Sequence, residues 1–86
     1  MRLPIIKQLI HFVEDNRDQD YLLETIETLE ALTEVSSLKE EELDVIGELL
    51  SNLYGAIEVH KDMTAGTPRR EALNGFMQRV MGTIDQ

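Results

Sequence analysis

Apolar residues recur along this chain at intervals of three and four, and the places where that rhythm fails divide it into four segments. From Leu3 to about Glu14, Ile5, Ile6, Leu9, Ile10, Phe12 and Val13 form one helical face, and Lys7, Gln8, His11 and Glu14 form the other. Pro4 suits the first turn of that helix, where its missing N–H removes no hydrogen bond. Asp15-Asn16-Arg17-Asp18 breaks the pattern with turn-forming residues. A second face follows in Leu22, Ile26, Leu29 and Leu32 or Thr33, with Asp18 or Asp20 as its cap and an end near Val35. Ser36-Ser37 stops the period, and Ser37 with Glu40 has the spacing of a capping box, which predicts a new helix starting there.

The third segment keeps its period through Leu38, Leu43, Ile46, Leu49, Leu50, Leu53, Ile57, His60 and Met63 until Gly66 ends it. A helix of about 26 residues is about 39 Å long. A compact chain of this length is only about 31 Å across, so the third helix either kinks or projects. Thr67-Pro68 predicts the start of a fourth helix, with Leu73, Phe76, Met77, Val80 and Ile84 on its buried side. No segment reads as a strand. Connections of about three to five residues favour antiparallel neighbours. The fold class expected is all-α: a single domain over residues 1–86, a small bundle of three to four antiparallel helices with one long central helix.

Eighty-six residues without cysteine leave no disulfide framework, no thiolate metal site and no thiol chemistry of the chain's own. A domain this small buries only about 60–65% of the surface its unfolded chain exposes, which makes help from a partner chain plausible. Seventeen acidic against eight basic residues give a net charge of −9, the wrong sign for a nucleic-acid binder. No apolar run approaches the roughly 20 residues that cross a bilayer, and Lys7, Gln8 and His11 interrupt the first apolar stretch, so neither a membrane span nor a signal peptide is expected. The expectation is a cytoplasmic protein with no nucleic-acid or membrane partner.

The acid is concentrated between residues 14 and 48, where it serves two readings. Glu24, Glu27, Glu30 and Glu34 lie off the Leu22/Ile26/Leu29 stripe, either as a solvated face that keeps a small protein in solution or as a docking face for a basic partner. The third segment carries a ladder of small residues, Gly47, Ser51 and Gly55, beside Asn52 and Ala56. Two glycines inside a helix cost about 1 kcal/mol each relative to alanine, and close approach of another backbone would offset that. The backbone approached is either the first or fourth segment of the same chain or a second copy of the long helix; a kink is the third option. Arg69 and Arg70 stand in the first turn of the fourth helix, where the macrodipole disfavours them. They either tolerate that small penalty or pair with the acidic face of a second copy.

Three chemical patterns are incomplete. Asn16, Asp18, Asp20, Leu22, Glu24 and Glu27 take the liganding offsets of a calcium loop, but Tyr21 stands where the turn requires glycine. Neither His11 with Glu14 nor Glu58 with His60 has the order or number of a carboxylate-bridged metal site, and His60 reads instead as a core-edge histidine with one hydrogen bond. Ser37-Leu38 at a helix start resembles the acyl carrier attachment motif, but Ser36 replaces its aspartate. No cofactor and no catalytic constellation is expected.

The stretches ETIETLEALTEV, EELDVIGELLSNLYGAIEVHK and REALNGFMQRVMG resemble a family of short bacterial proteins known only as a domain of unknown function, across nearly the whole chain. The resemblance implies a small all-helical protein and points to peroxiredoxin- or thioredoxin-like proteins as partners; it carries over no catalytic residue. The reading is a non-enzymatic interaction or regulatory module acting as a homodimer, with Gly47, Ser51, Asn52, Gly55, Arg69 and Arg70 at its interface. The alternative is a small-molecule or metal binder whose cleft is approached by His11, Tyr54, Glu58 and His60.

Overall fold

Each of the four segments is a helix. The computed structural model describes residues 2–16 and 18–84, and among these it forms α1 (Leu3–Asn16), α2 (Asp20–Leu32), α3 (Glu40–Thr64) and α4 (Arg69–Ile84), with no strand. The long helix is central: α1, α2 and α4 all pack on α3. Its inner turns bury Leu53, Ala56, Ile57 and Val59 against Ile6, Ile10 and Val13 of α1, Leu22 and Ile26 of α2, and Ala72, Leu73 and Phe76 of α4. Met77 and Val80 pack at the edge of this core, and the side chain of Ile84 lies outside the described residues.

The helix boundaries differ from expectation where local hydrogen bonding overrides spacing. α1 runs through Asn16, so Asp15 is inside the helix and the chain turns only afterwards. Asp18 does take up an orphan donor of α2, accepting from Asp20 N at 2.8 Å, although the residue in the cap position is Gln19. α2 ends at Leu32 and is followed by tight turns, with Glu34 N donating to Ala31 O and Val35 N to Leu32 O. Ser37 and Glu40 form no capping box. α3 starts after Lys39, whose N–H donates to Glu42 Oε1 at 2.9 Å, so the reciprocal carboxylate sits two residues later than the sequence spacing indicates.

α3 is unbroken for 25 residues, and it projects instead of kinking. The radius of gyration is 13.9 Å where a compact chain of this length has about 12 Å, and the molecule is a slab of 43 × 36 × 17 Å. From residue 27 to residue 51 not one side chain is buried, although 27–32 and 40–51 are helical. The core occupies one end of the α2–α3 pair, and the other end stands out as an arm.

α3 terminates in a Schellman motif. Gly66 has φ 112°, its N–H donates to Met63 O, and Thr67 N donates to Asp62 O. A side chain is strained at that φ, so Gly66→Ala is expected to cost about 1 kcal/mol, measured by urea denaturation. A variant as stable as the parent would mean that the α3–α4 turn adopts another conformation.

Candidate functional site

The ladder of small residues does not stay on one face. A step of four residues advances about 40° around an α-helix, so Gly55 lies about 80° from Gly47. At Gly55 the helix is pressed into the core: a Cβ there would stand 2.9 Å from Phe76 Cζ, 3.1 Å from Phe76 Cε2 and 3.3 Å from Ile6 Cδ1. At Gly47 a Cβ would meet nothing within 4 Å, and Ser51 between them is exposed. Gly55 therefore accommodates α1 and α4 of its own chain and is removed from the candidate interface. Gly47 and Ser51 remain at the surface.

Asn52 also belongs inside. It is fully buried, the one buried polar side chain among the described residues. Its Oδ1 accepts from Arg2 N at 2.9 Å and its Nδ2 donates to Glu48 O at 2.8 Å. Arg2 precedes α1, and its carbonyl already accepts from Ile5 N and Ile6 N. Asn52 thus caps α1 from the neighbouring helix, with the Arg2 guanidinium folded over to Glu48 Oε1 at 3.0 Å. These contacts, with Ile6 beside Gly55, set α1 along α3 in the same chain direction.

Arg69 pairs with Glu14 of its own chain. Arginine in a first turn and glutamate in a last turn each oppose their helix dipole, and the contact between α4 and α1 lets each offset the other. That explains the arginine without a second copy. Arg70 is exposed.

The acidic residues divide similarly. Glu24, Glu27, Glu30 and Glu34 are all exposed, but Glu30 is engaged, accepting from Tyr54 Oη at 3.2 Å across the α2–α3 contact. Partial desolvation, then the Glu30 charge and the hydrogen bond to it, hold the Tyr54 phenol above its ordinary pKa. The folded value is the raised one, so this interaction is intact below about pH 10 and is lost as pH rises through the higher folded pKa. In a Tyr21→Phe background, Glu30→Gln is expected to lower the tyrosinate titration followed by ultraviolet absorbance. An unchanged midpoint would show that Glu30 does not face the phenol.

Two of the concavities among the described residues bear on ligand binding. One of about 330 Å³ runs along α2, lined by Tyr21, Glu24, Thr25, Thr28 and Leu29. The hydroxyls of Thr25 and Thr28 turn back onto carbonyls of their own helix, which leaves that groove little donor capacity. The other, about 470 Å³, lies between α3 and α4 and includes Tyr54, Gly55, Ile57, Glu58, Phe76 and Val80 in its walls. Of the polar groups expected at a cleft, Tyr54 and Glu58 line this one. His60 Nδ1 instead meets Gln19 Oε1 at 3.0 Å, the single hydrogen bond expected of a core-edge histidine, and His11 is exposed. Asp20 to Glu27 are helical and Leu22 is core, so four of the six calcium offsets fall on α2 while Asn16 ends α1 and Asp18 lies in the turn between them, which is not the geometry of a calcium loop. No three His, Asp or Glu side chains converge as metal ligands among the described residues, and no helix there is long and apolar enough to cross a membrane.

What sequence spacing did not separate is the apolar surface of the arm. Leu32, Val35, Leu43, Val45 and Leu49 are all more than a third exposed, and Leu29, Leu38, Ile46 and Leu50 are half-buried. Periodicity marks Leu32, Leu43 and Leu49 as core and passes over Val35 and Val45, and it does not say whether the chain supplies the helix that covers them. Neither curated proteins nor solved structures give a match to this chain. A family model does match, over residues 1–85, and the chain belongs to that family, a family of unknown function (DUF6952).

Proposed function

We propose that this member of a family without an assigned function is a non-enzymatic interaction module that works as a homodimer of antiparallel helical hairpins. The observation that supports this reading is the arm: residues 27–51 contain two helical stretches rich in leucine, valine and isoleucine, yet none of these side chains is fully buried and only Leu29 and Leu50 pack at the edge of the core. Isolated helices of that length are marginal in water, so an arm of this kind gains most of its stability from a surface laid against it. The polar side chains drawn into helix contacts fit the same role. Asn52 spends its side-chain oxygen, and His60 its Nδ1, on contacts that tie helices together.

Peroxiredoxin- or thioredoxin-like proteins are the partner class proposed for the dimer. A chain without cysteine contributes no thiol to such a partner; its role would be to hold or regulate it. Glu24, Glu27 and Glu34 offer an exposed acidic approach to a basic patch. The test is titration calorimetry of the purified protein against a purified thioredoxin and a purified peroxiredoxin. Saturable binding weakened by Glu24→Gln/Glu27→Gln/Glu34→Gln supports the reading; heat of dilution alone with both removes this partner class.

A second reading rests on the groove between α3 and α4. Its walls of Ile57, Phe76 and Val80, with Tyr54 and Glu58 at the margin, suit a small apolar molecule carrying one hydrogen-bonding group. Native mass spectrometry of freshly purified protein decides it. A stoichiometric adduct lost in Gly55→Ala supports the ligand, and a bare chain mass rejects it.

A further inference from the structure

At about 100° per residue, Val45, Leu49, Asn52, Ala56 and Val59 fall in one band about 80° wide along α3. The lower part of the band is closed: Asn52, Ala56 and Val59 have no exposed surface. The upper part is open, with Leu49 42% and Val45 58% exposed. The change comes where α1 begins, because Arg2 N bonds Asn52 and the first helical residue is Leu3. Among the described residues, α3 continues its apolar stripe past the point at which α1 covers it. Leu32 and Val35, from the end of α2 and the turn after it, are nearly half exposed on the same arm.

The chain as a whole exposes more surface than a compact monomer of its mass. The chain exposes 6112 Å², whereas a compact monomer of its 9.8 kDa exposes about 5200 Å². The surplus, about 900 Å², is spread over the whole extended molecule, the arm included, and is of the order of the roughly 800 Å² that each partner contributes to a stable interface. We propose that the surface is closed by a second copy of this chain, in a two-fold contact that crosses the two α3 helices at Val45 and Leu49 and packs Leu32 and Val35 around the crossing. This rests on the homodimer reading above and assigns it a seam. A two-fold axis near Val45 and Leu49 is self-complementary, since the same apolar patch meets its copy, with Glu41 at one edge of the band and Glu48 and Asp44 beyond that edge. Glu41, Asp44 and Glu48 form a rim of like charge on each copy. Bringing two such rims within about a Debye length makes association stronger as salt rises.

Sedimentation equilibrium of the full chain, at low and at high sodium chloride, tests the proposal. The expected result is a dimer whose dissociation constant falls about tenfold with salt. Val45→Glu/Leu49→Glu, folded by circular dichroism, is expected to dimerise about a hundredfold more weakly. Since the chain has no cysteine, Val45→Cys gives a second readout that needs no loss of fold: mild oxidation links it to its copy across the axis, and the exposed control Lys61→Cys remains unlinked. A dimer that survives the double substitution, or equal linking at both cysteines, overturns the seam while the homodimer stands. A native monomer at every concentration and salt overturns both.

Discussion

Gly55→Leu is expected to remove about 3 kcal/mol or more of unfolding free energy, while Gly47→Leu is expected to add up to about 1 kcal/mol. The two glycines occupy the same helix eight residues apart, and sequence alone gives them the same meaning. Their surroundings differ. The first Cβ atom at position 55 already stands closer to the Phe76 ring than van der Waals contact allows, and Ile6 closes the other side. Phe76 and Ile6 are themselves buried, so neither can swing into solvent without opening the core. A leucine must force α4 or α1 away from α3, which disrupts the junction on which three of the four helices meet. At position 47 the side chain enters open space and contributes only the better helix propensity of leucine over glycine. Gly55→Ala should fall between, because about 1 kcal/mol of propensity is set against overpacking of one methyl group. Urea denaturation followed by circular dichroism, at one protein concentration for all variants, measures the series. A Gly55→Leu protein as stable as its parent would mean that Phe76 does not lie over this glycine.

The comparison also shows which parts of the fold are local. Four helices are legible because each carries enough apolar residues at intervals of three and four to define a face, and Gly66 marks an end that the φ of 112° requires. The cap of α3 is not legible in the same way. Ser37 and Glu40 have the right spacing, but turns continuing from Val35 place the helix start after Lys39, and Glu42 then becomes the residue within reach. The ladder misleads for a geometric reason: its four-residue step drifts around the axis, so a stripe that is external at Gly47 is internal at Gly55. The pairing of Arg69 with Glu14 joins residues 55 apart and follows from how α4 meets α1, which no spacing records. The arm escapes the sequence for a related reason. Val45 and Leu49 belong to the same period as Ala56 and Val59, and only the place where α1 starts separates covered from uncovered.

Asn52 is where that separation is made, and its removal is the second large effect expected. Asn52→Ala should cost about 1–3 kcal/mol: the part-buried Arg2 N–H loses its acceptor, and a small cavity opens between α1 and α3 where the fully buried Asn52 side chain was. Glu48 O keeps its helical partner and is not left bare, so the orphaned donor carries the polar part of the loss. Asn52→Leu distinguishes the two contributions. Leucine fills the space and extends the apolar stripe unbroken from Val45 to Val59, but it accepts no hydrogen bond. If the cost is chiefly the cap, Asn52→Leu recovers less than half of the stability lost in Asn52→Ala, and amide exchange at Ile5 and Ile6 quickens in both variants. If the leucine variant is as stable as the parent, Asn52 is not an anchor but a tolerated polar residue, and the position of α1 on α3 is set by packing alone. That outcome would bear on the arm as well. A polar side chain at this one point in the stripe ties α1 to a fixed register, and the fixed register leaves Val45 and Leu49 uncovered; without the tie, α1 is free to slide along the apolar band and shorten the surface on which a second copy would sit.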